Sequence, residues 1–226
     1  MKLSVIIPSR EERFLNHTIL DILKKFKSDF EIIVVLDGYW PDFDPVQDPR
    51  VRYIHSGQHI GMRTAINQGV AIAKGKYIMK LDAHCMMDEG IDEKLLAIHQ
   101  DNWVQTPRRK RFNAHKWELV DLDQPDIDYM FISRYRGYKD HEKNKDPELK
   151  KKLIDDTEVF QGSCYLITKA FFNKLGLLDD ENFGKIGGEA IEIALKCRHA
   201  GGPVIINKNT WYAHAHIGAL YANRSQ

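Results

Sequence analysis

The tripeptide Asp82-Ala83-His84 closes an apolar run and sets a carboxylate and an imidazole two residues apart. If the run is a strand, alternation points both groups to one side. One oxygen and one ring nitrogen can grip a divalent cation and leave room for further ligands. That donor set suits Mn²⁺, Fe²⁺ or Zn²⁺, and Mn²⁺ or Mg²⁺ where phosphate completes the shell. The competing reading is a turn acid beside a solvated histidine. His214 and His216 repeat the i, i+2 spacing near the carboxyl end. They are a second candidate ligand pair, or an exposed turn packed on Trp211 and Tyr212.

Other groups could bind or move protons. Gly187-Gly188-Glu189 precedes a helical pattern, so Glu189 falls in the first turn, where the helix dipole favours a carboxylate. It is an ordinary helix-start acid, or a base delivered by a closely approaching glycine loop. Ser9 and Arg10 follow the first apolar run and could hold a nucleotide. Arg63 and Asn67 lie one helical turn apart. The run 108–111, with Phe112, His115, Lys116 and Trp117, mixes cations with aromatics. It suits nucleic acid or a phosphorylated acceptor, unless it is a solvated loop.

Positioning these groups takes a regular frame. "KLSVIIP", "FEIIVVLDG", "VRYIHSG" and "KYIMKLDAH" read as strands. Between them, Leu15, Ile19, Ile22, Leu23 and Phe26 fall at helical spacing, as do Ala65, Ile66, Val70 and Ala73 within 61–74. Strand–helix alternation with near-continuous apolar strands predicts an α/β fold on a mostly parallel central sheet covered on both faces. In such sheets ligands sit beyond the carboxyl ends of the strands, where Ser9, Asp37 and Asp82 all fall. Segments 106–131 and 134–156 are charge-dense and read as strand-plus-loop excursions on the rim. A strand and an amphipathic helix follow over 158–179, then a helix ended by Gly201-Gly202 and a last strand running into the histidines.

The chain has 226 residues, 43% hydrophobic and 29% charged, with a net charge of +1. That suits one soluble domain over 1–226 with a core of its own. No net field demands a nucleic-acid or membrane partner, and no run reaches the ~20 apolar residues of a membrane span. Cys85, Cys164 and Cys197 are odd in number and widely spaced, so free thiols and a cytoplasmic protein are expected (host cytoplasm for a viral source). Cys85 reads as a packing residue.

In order, "SVIIPSREE", "EIIVVLDG" and "GMRTAINQGVAIAKGKYIMKLDAHC" resemble the nucleotide-binding half of the GT-A glycosyltransferases of family 2. "FQGSCYLITKAFFNKLGLLDDENFGKIGGEAIEIALKCRHAGG" is similar to the acceptor-side segment of the polypeptide N-acetylgalactosaminyltransferases. Asp82-Ala83-His84 resembles that branch's variant of the usual Asp-x-Asp. The resemblance covers about residues 1–100 and 157–216 and implies a nucleotide-sugar half over 1–100 and an acceptor half over 101–226.

It also implies roles. Pro8, Ser9 and Arg10 line a nucleotide pocket, Asp37 bonds the base, and Arg63 faces the nucleotide or diphosphate. Asp82, His84 and His214, with His216 as the alternative, hold Mn²⁺ or Mg²⁺ against the diphosphate of a UDP-sugar. Gly188 and Glu189 approach the sugar or the acceptor hydroxyl. Inverting relatives often carry Glu-Asp where this chain has Glu189-Ala190. Glu189 is then the base, or Glu192 substitutes, or configuration is retained and no base is needed. The acceptor is a saccharide, a lipid-linked precursor, a protein hydroxyl or a hydroxymethylated base in DNA; Arg109, Arg111, Trp117 and the Lys-rich 139–152 are its candidate contacts. A nucleotidyltransferase would want a glycine-rich loop after the first strand, which "PSREER" lacks, and a silent nucleotide-sugar-binding module would not need Asp82, His84, His214 and Glu189.

Overall fold

The computed structural model describes residues 1–120, 126–133, 137–184 and 187–215. In chain order the elements are β1 (Leu3–Ser9), α1 (Leu15–Lys25), β2 (Phe30–Asp37), β3 (Val51–Ser56), α2 (Met62–Ile72), β4 (Tyr77–Leu81), β5 (Cys85–Met87), α3 (Ile91–Leu96) and β6 (Val104–Lys110). There follow β7 (Phe112–Asn113), β8 (Glu118–Leu119), β9 (Met130–Ser133), β10 (Gly137–Asp140), α4 (Pro147–Lys151), β11 (Ile154–Asp156), β12 (Cys164–Thr168), α5 (Lys169–Lys174), α6 (Glu189–His199) and β13 (Val204–His214).

The main sheet runs β11-β13-β6-β12-β4-β1-β2-β3, with β5 paired to β13. The pairs β4-β1, β1-β2 and β2-β3 are parallel, as the first ninety residues predict. β12 reverses direction, antiparallel to both β4 and β6, while β6 and β13 are parallel to each other. Alternation along β1 explains the double cover. Ile6 joins Ile33, Val35, Ala65, Ile66 and Ile193 on one face. Val5 and Ile7 join Ile19, Ile22, Val34 and Leu95 on the other. Each fully buried Val, Ile or Leu side chain among them contributes about 1.5–3 kcal/mol.

The segment after Leu36 is built on a glycine. Gly38 has φ +66°, and a Cβ there would stand 2.5 Å from the His59 amide nitrogen. Only glycine lets the 58–61 loop close over the end of β2.

Two expectations change. The fourth strand stops at Leu81; Asp82-Ala83-His84 is a turn, and the chain resumes as β5. The run 104–110, where the strand-plus-loop excursion on the rim is expected to begin, is a largely buried strand inside the sheet, between β12 and β13. Its charges are matched by groups far away in sequence. Arg108 donates to Asp128 at 2.8 and 2.6 Å. Arg109, 5% exposed, bonds Gln161 and reaches Asp140 at 3.4 Å. Arg111 lies 3.9 Å from the same Asp140 carboxylate.

Candidate active site

The turn after β4 and the end of β13 meet because β5 bridges them. Thr18 on α1 donates its hydroxyl to the Cys85 carbonyl at 3.2 Å and accepts the Cys85 amide at 3.1 Å. Asp21 accepts the Met87 amide at 2.6 Å. With β5 so pinned, Cys85 pairs with His214 across the antiparallel ladder. His84, one residue earlier, then faces His214. Their Nε2 atoms are 2.9 Å apart, and His214 Nε2 is 3.2 Å from Asp82 Oδ2. One ligand atom from each of Asp82, His84 and His214 lies within 4.8 Å of the others.

These residues fit a divalent cation. Two imidazole nitrogens converging on one point with a carboxylate oxygen is a ligand arrangement, since only one proton could lie between the two nitrogens. His84 Nδ1 is bonded to Glu12 Oε2 at 3.0 Å, leaving Nε2 toward the cluster. That carboxylate–histidine pairing fixes ring orientation as metal ligands require. Asp82 is anchored through its amide, which donates to the Ser163 carbonyl at 2.9 Å. Burial works against its charge, but the Lys80 ammonium and His214 outweigh it and hold the carboxyl well below the usual range. Burial pulls His84 down, and the Glu12 carboxylate reverses this and raises it.

Beside the cluster is a cavity of about 200 Å³ whose lining includes Pro8, Ser9, Arg10, Asp37, Asp82 and His84. The strand ends expected to share a ligand therefore do share one space. Asp37 accepts the amides of Ile60 at 2.5 Å and Gly61 at 3.1 Å, and bonds His59 Nδ1 at 2.7 Å. Its carboxylate thus orders the 59–61 loop and presents His59 to the cavity. Arg10 Nη1 donates to the Asp37 carbonyl at 3.2 Å.

Glu189 is 7% exposed in the first turn of α6, against Gly162. A Cβ at Gly162 would lie 1.9 Å from Glu189 Oε1. Among the described residues no side-chain or backbone donor bonds the Glu189 carboxylate. Glu192 differs. It accepts Arg63 Nε at 3.2 Å, and the Asp179 amide and Lys196 Nζ at 2.7 Å each. Arg63, 1% exposed, also donates to the Gly184 carbonyl at 3.2 Å and lies under the Phe183 ring, 4.6 Å from its centroid. The structure therefore sets Arg63 beneath the 179–184 loop, apart from the residues lining the cavity, although its guanidinium approaches the Gly188 Cα.

Arg109 is enclosed by its partners, and Trp117 packs on Phe112 and His17 with ring centroids 5.2 Å away in each case. His216 lies outside the described residues. Glu12, His59 and Lys80 are site residues that sequence reasoning missed. Lys80 alone left a signal, a lysine inside an apolar strand two residues before an acid.

Residues 4–176 match the family described as glycosyl transferase family 2. The human polypeptide N-acetylgalactosaminyltransferase 3 is 27% identical over 180 residues, 76% of this chain and 27% of its own length. The Caenorhabditis elegans polypeptide N-acetylgalactosaminyltransferase 5 is 24% identical over 243 residues, covering 98% of this chain and 37% of its own. Glycosyltransferase GlyG of Streptococcus pneumoniae is 32% identical over 106 residues, 44% of this chain and 35% of its own. This chain thus spans well under half the length of these relatives. A crystal structure of GalNAc-T7 with UDP, GalNAc and Mn²⁺ superposes with a TM-score of 0.79 at 19% identity, covering 96% of this chain and 44% of that one. S. aureus TarS 1–349 superposes at 0.60 with 12% identity, covering 98% and 63%. The fold is that of the GT-A glycosyltransferases, and the chain belongs to glycosyl transferase family 2.

Proposed function

We propose that the protein transfers a sugar from a UDP-sugar to a hydroxyl acceptor with a divalent cation, Mn²⁺ or Mg²⁺. The observation that carries this reading is the convergence of Asp82, His84 and His214 at the edge of the cavity lined by Pro8, Ser9, Arg10 and Asp37. In a family 2 chain that is where a nucleoside diphosphate and its cation would lie. Held by Asp82, His84 and His214, a cation would neutralise charge growing on the leaving diphosphate.

The chain's own residues do the rest. Asp82, His84 and His214 are the ligands, and Glu12 keeps His84 oriented. Asp37 holds His59 and the 59–61 loop as one wall of the nucleotide pocket, with Arg10 near the phosphates. Glu189, buried and bonded to no donor among the described residues, is the carboxylate that meets the sugar or acceptor hydroxyl, beside Gly188. Glu192 is a positioning residue: its oxygens are committed to Arg63, Asp179 and Lys196.

The acceptor is a saccharide or protein hydroxyl, in keeping with the polypeptide-modifying relatives. A DNA acceptor has little left to support it, because Arg108, Arg109 and Arg111 face carboxylates of the same chain. No helix among the described residues is long and apolar enough to cross a membrane. The three cysteines are buried and free, which favours a reducing compartment.

A panel of UDP-sugars, assayed for donor turnover with Mn²⁺ and with chelator, tests the reading. Chelator-sensitive turnover that Asp82→Ala and His84→Ala abolish is expected. Metal-independent turnover, or unchanged turnover in both variants, would sink it.

A further inference from the structure

Lys80 is the sole charged side chain of β4 and is 0% exposed. Burying an ammonium is costly unless every proton finds an acceptor. Here Nζ donates to Asp82 Oδ1 and to the Gly162 carbonyl, the latter at 2.6 Å. Gly162 is also the residue against which the Glu189 carboxylate lies. One buried cation is therefore bonded to the Asp82 carboxylate and to the residue on which the Glu189 carboxylate rests.

Two consequences follow from where the bonds go. Asp82 Oδ1 is taken by Lys80, and Oδ2 is the oxygen beside His214 Nε2. Asp82 can then offer a cation one oxygen, alongside two ring nitrogens. A site with one oxygen and two nitrogens favours Mn²⁺ over Mg²⁺ or Ca²⁺, which prefer oxygen shells. Second, Asp82 and Glu12 are carboxylates bonded to the cluster's histidines, and Lys80 is the ammonium bonded to Asp82. A fixed positive charge a few ångströms from the ligand atoms opposes a bare divalent cation. The same charge attracts the trianionic nucleoside diphosphate.

We infer that Lys80 is a positioning residue that couples the two ligands, making the site bind its cation weakly alone and tightly with a nucleoside diphosphate. This rests on the cation and UDP reading above. Coupling of this kind is reciprocal, so each ligand tightens the other by the same factor.

The test is Mn²⁺ binding, read from the electron paramagnetic resonance of free Mn²⁺, with and without UDP, for the wild type, Lys80→Met and Lys80→Gln. Methionine keeps volume and removes the charge. Glutamine also retains a donor for the Gly162 carbonyl, and it gives the reading if Lys80→Met does not fold. In the neutral variant, bare Mn²⁺ should bind about tenfold tighter than in the wild type, and the enhancement by UDP should shrink about tenfold. Bare Mn²⁺ binding that is unchanged or weaker would overturn the inference and leave Lys80 as a prop for Asp82. A wild type that binds neither Mn²⁺ nor UDP would overturn both the inference and the function on which it rests.

Discussion

His84 owes its direction to Glu12, and that dependence is measurable. Glu12→Gln keeps the volume and weakens the bond at Nδ1, so Mn²⁺ affinity in the presence of UDP should fall about 10–100-fold. Unchanged affinity would show that the carboxylate does not orient the ring. Mn²⁺ affinity should also fall with acid, because both histidines must be neutral to ligate. At this scale the sequence was informative where chemistry is local. Asp82, His84 and Glu189 stood out as candidates from neighbours of one to three residues, though those neighbours alone fit a turn acid, a solvated histidine and a helix-start acid equally well. His214 needed a family resemblance, because nothing in "YAHAH" says which imidazole faces His84. Glu12 and His59 were not legible, since their meaning comes from His84 and Asp37, 72 and 22 residues away.

Among elements, the approach of α6 to the β12 side decides where Glu189 sits. Gly162→Ala puts a methyl group into the space of Glu189 Oε1. The carboxylate must move, so turnover should drop at least about tenfold while the protein stays folded and still binds Mn²⁺ with UDP. Wild-type turnover in Gly162→Ala would remove Glu189 from the reaction. Glu192→Ala acts differently. It strands Arg63, a buried guanidinium, and should lower unfolding stability by about 3–5 kcal/mol in chemical denaturation. Loss of turnover at unchanged stability would instead make Glu192 a participant. The first four strands and the two helices among them could be read from apolar periodicity, because β1, β2 and β4 are buried on both faces and the helices are amphipathic. β6 could not. "VQTPRRK" looks like a solvated loop until Asp128, Gln161 and Asp140 are seen to satisfy its arginines. Periodicity reports apolar burial and is blind to polar burial matched over long range.

For the whole molecule, the sheet separates the site from a structural anchor at the opposite end of the strands. Glu31 on β2 is 3% exposed. Burial would raise its carboxyl, but Ser4, the Lys74 amide and Arg52 outweigh that and lower it below 4.5. A lowered carboxyl stabilises the fold above its unfolded value and loses that contribution as pH falls through the folded value. Glu31→Gln should therefore cost about 1–3 kcal/mol at pH 7. The gap to the wild type should narrow steadily in thermal melts below pH 4.5; a gap that does not depend on pH would mean the charge is irrelevant there.

The central claim is that three residues from two distant parts of the chain hold one cation for a nucleoside diphosphate. His214 tests it most directly, because it comes from the last described strand and joins a site otherwise built from the first ninety residues. Mn²⁺ binding to His214→Ala in the presence of UDP, beside the wild type, is the measurement. The wild type should bind Mn²⁺ in a UDP-dependent way, and His214→Ala should bind at least about tenfold more weakly with its fold intact. Wild-type affinity in His214→Ala would contradict the account.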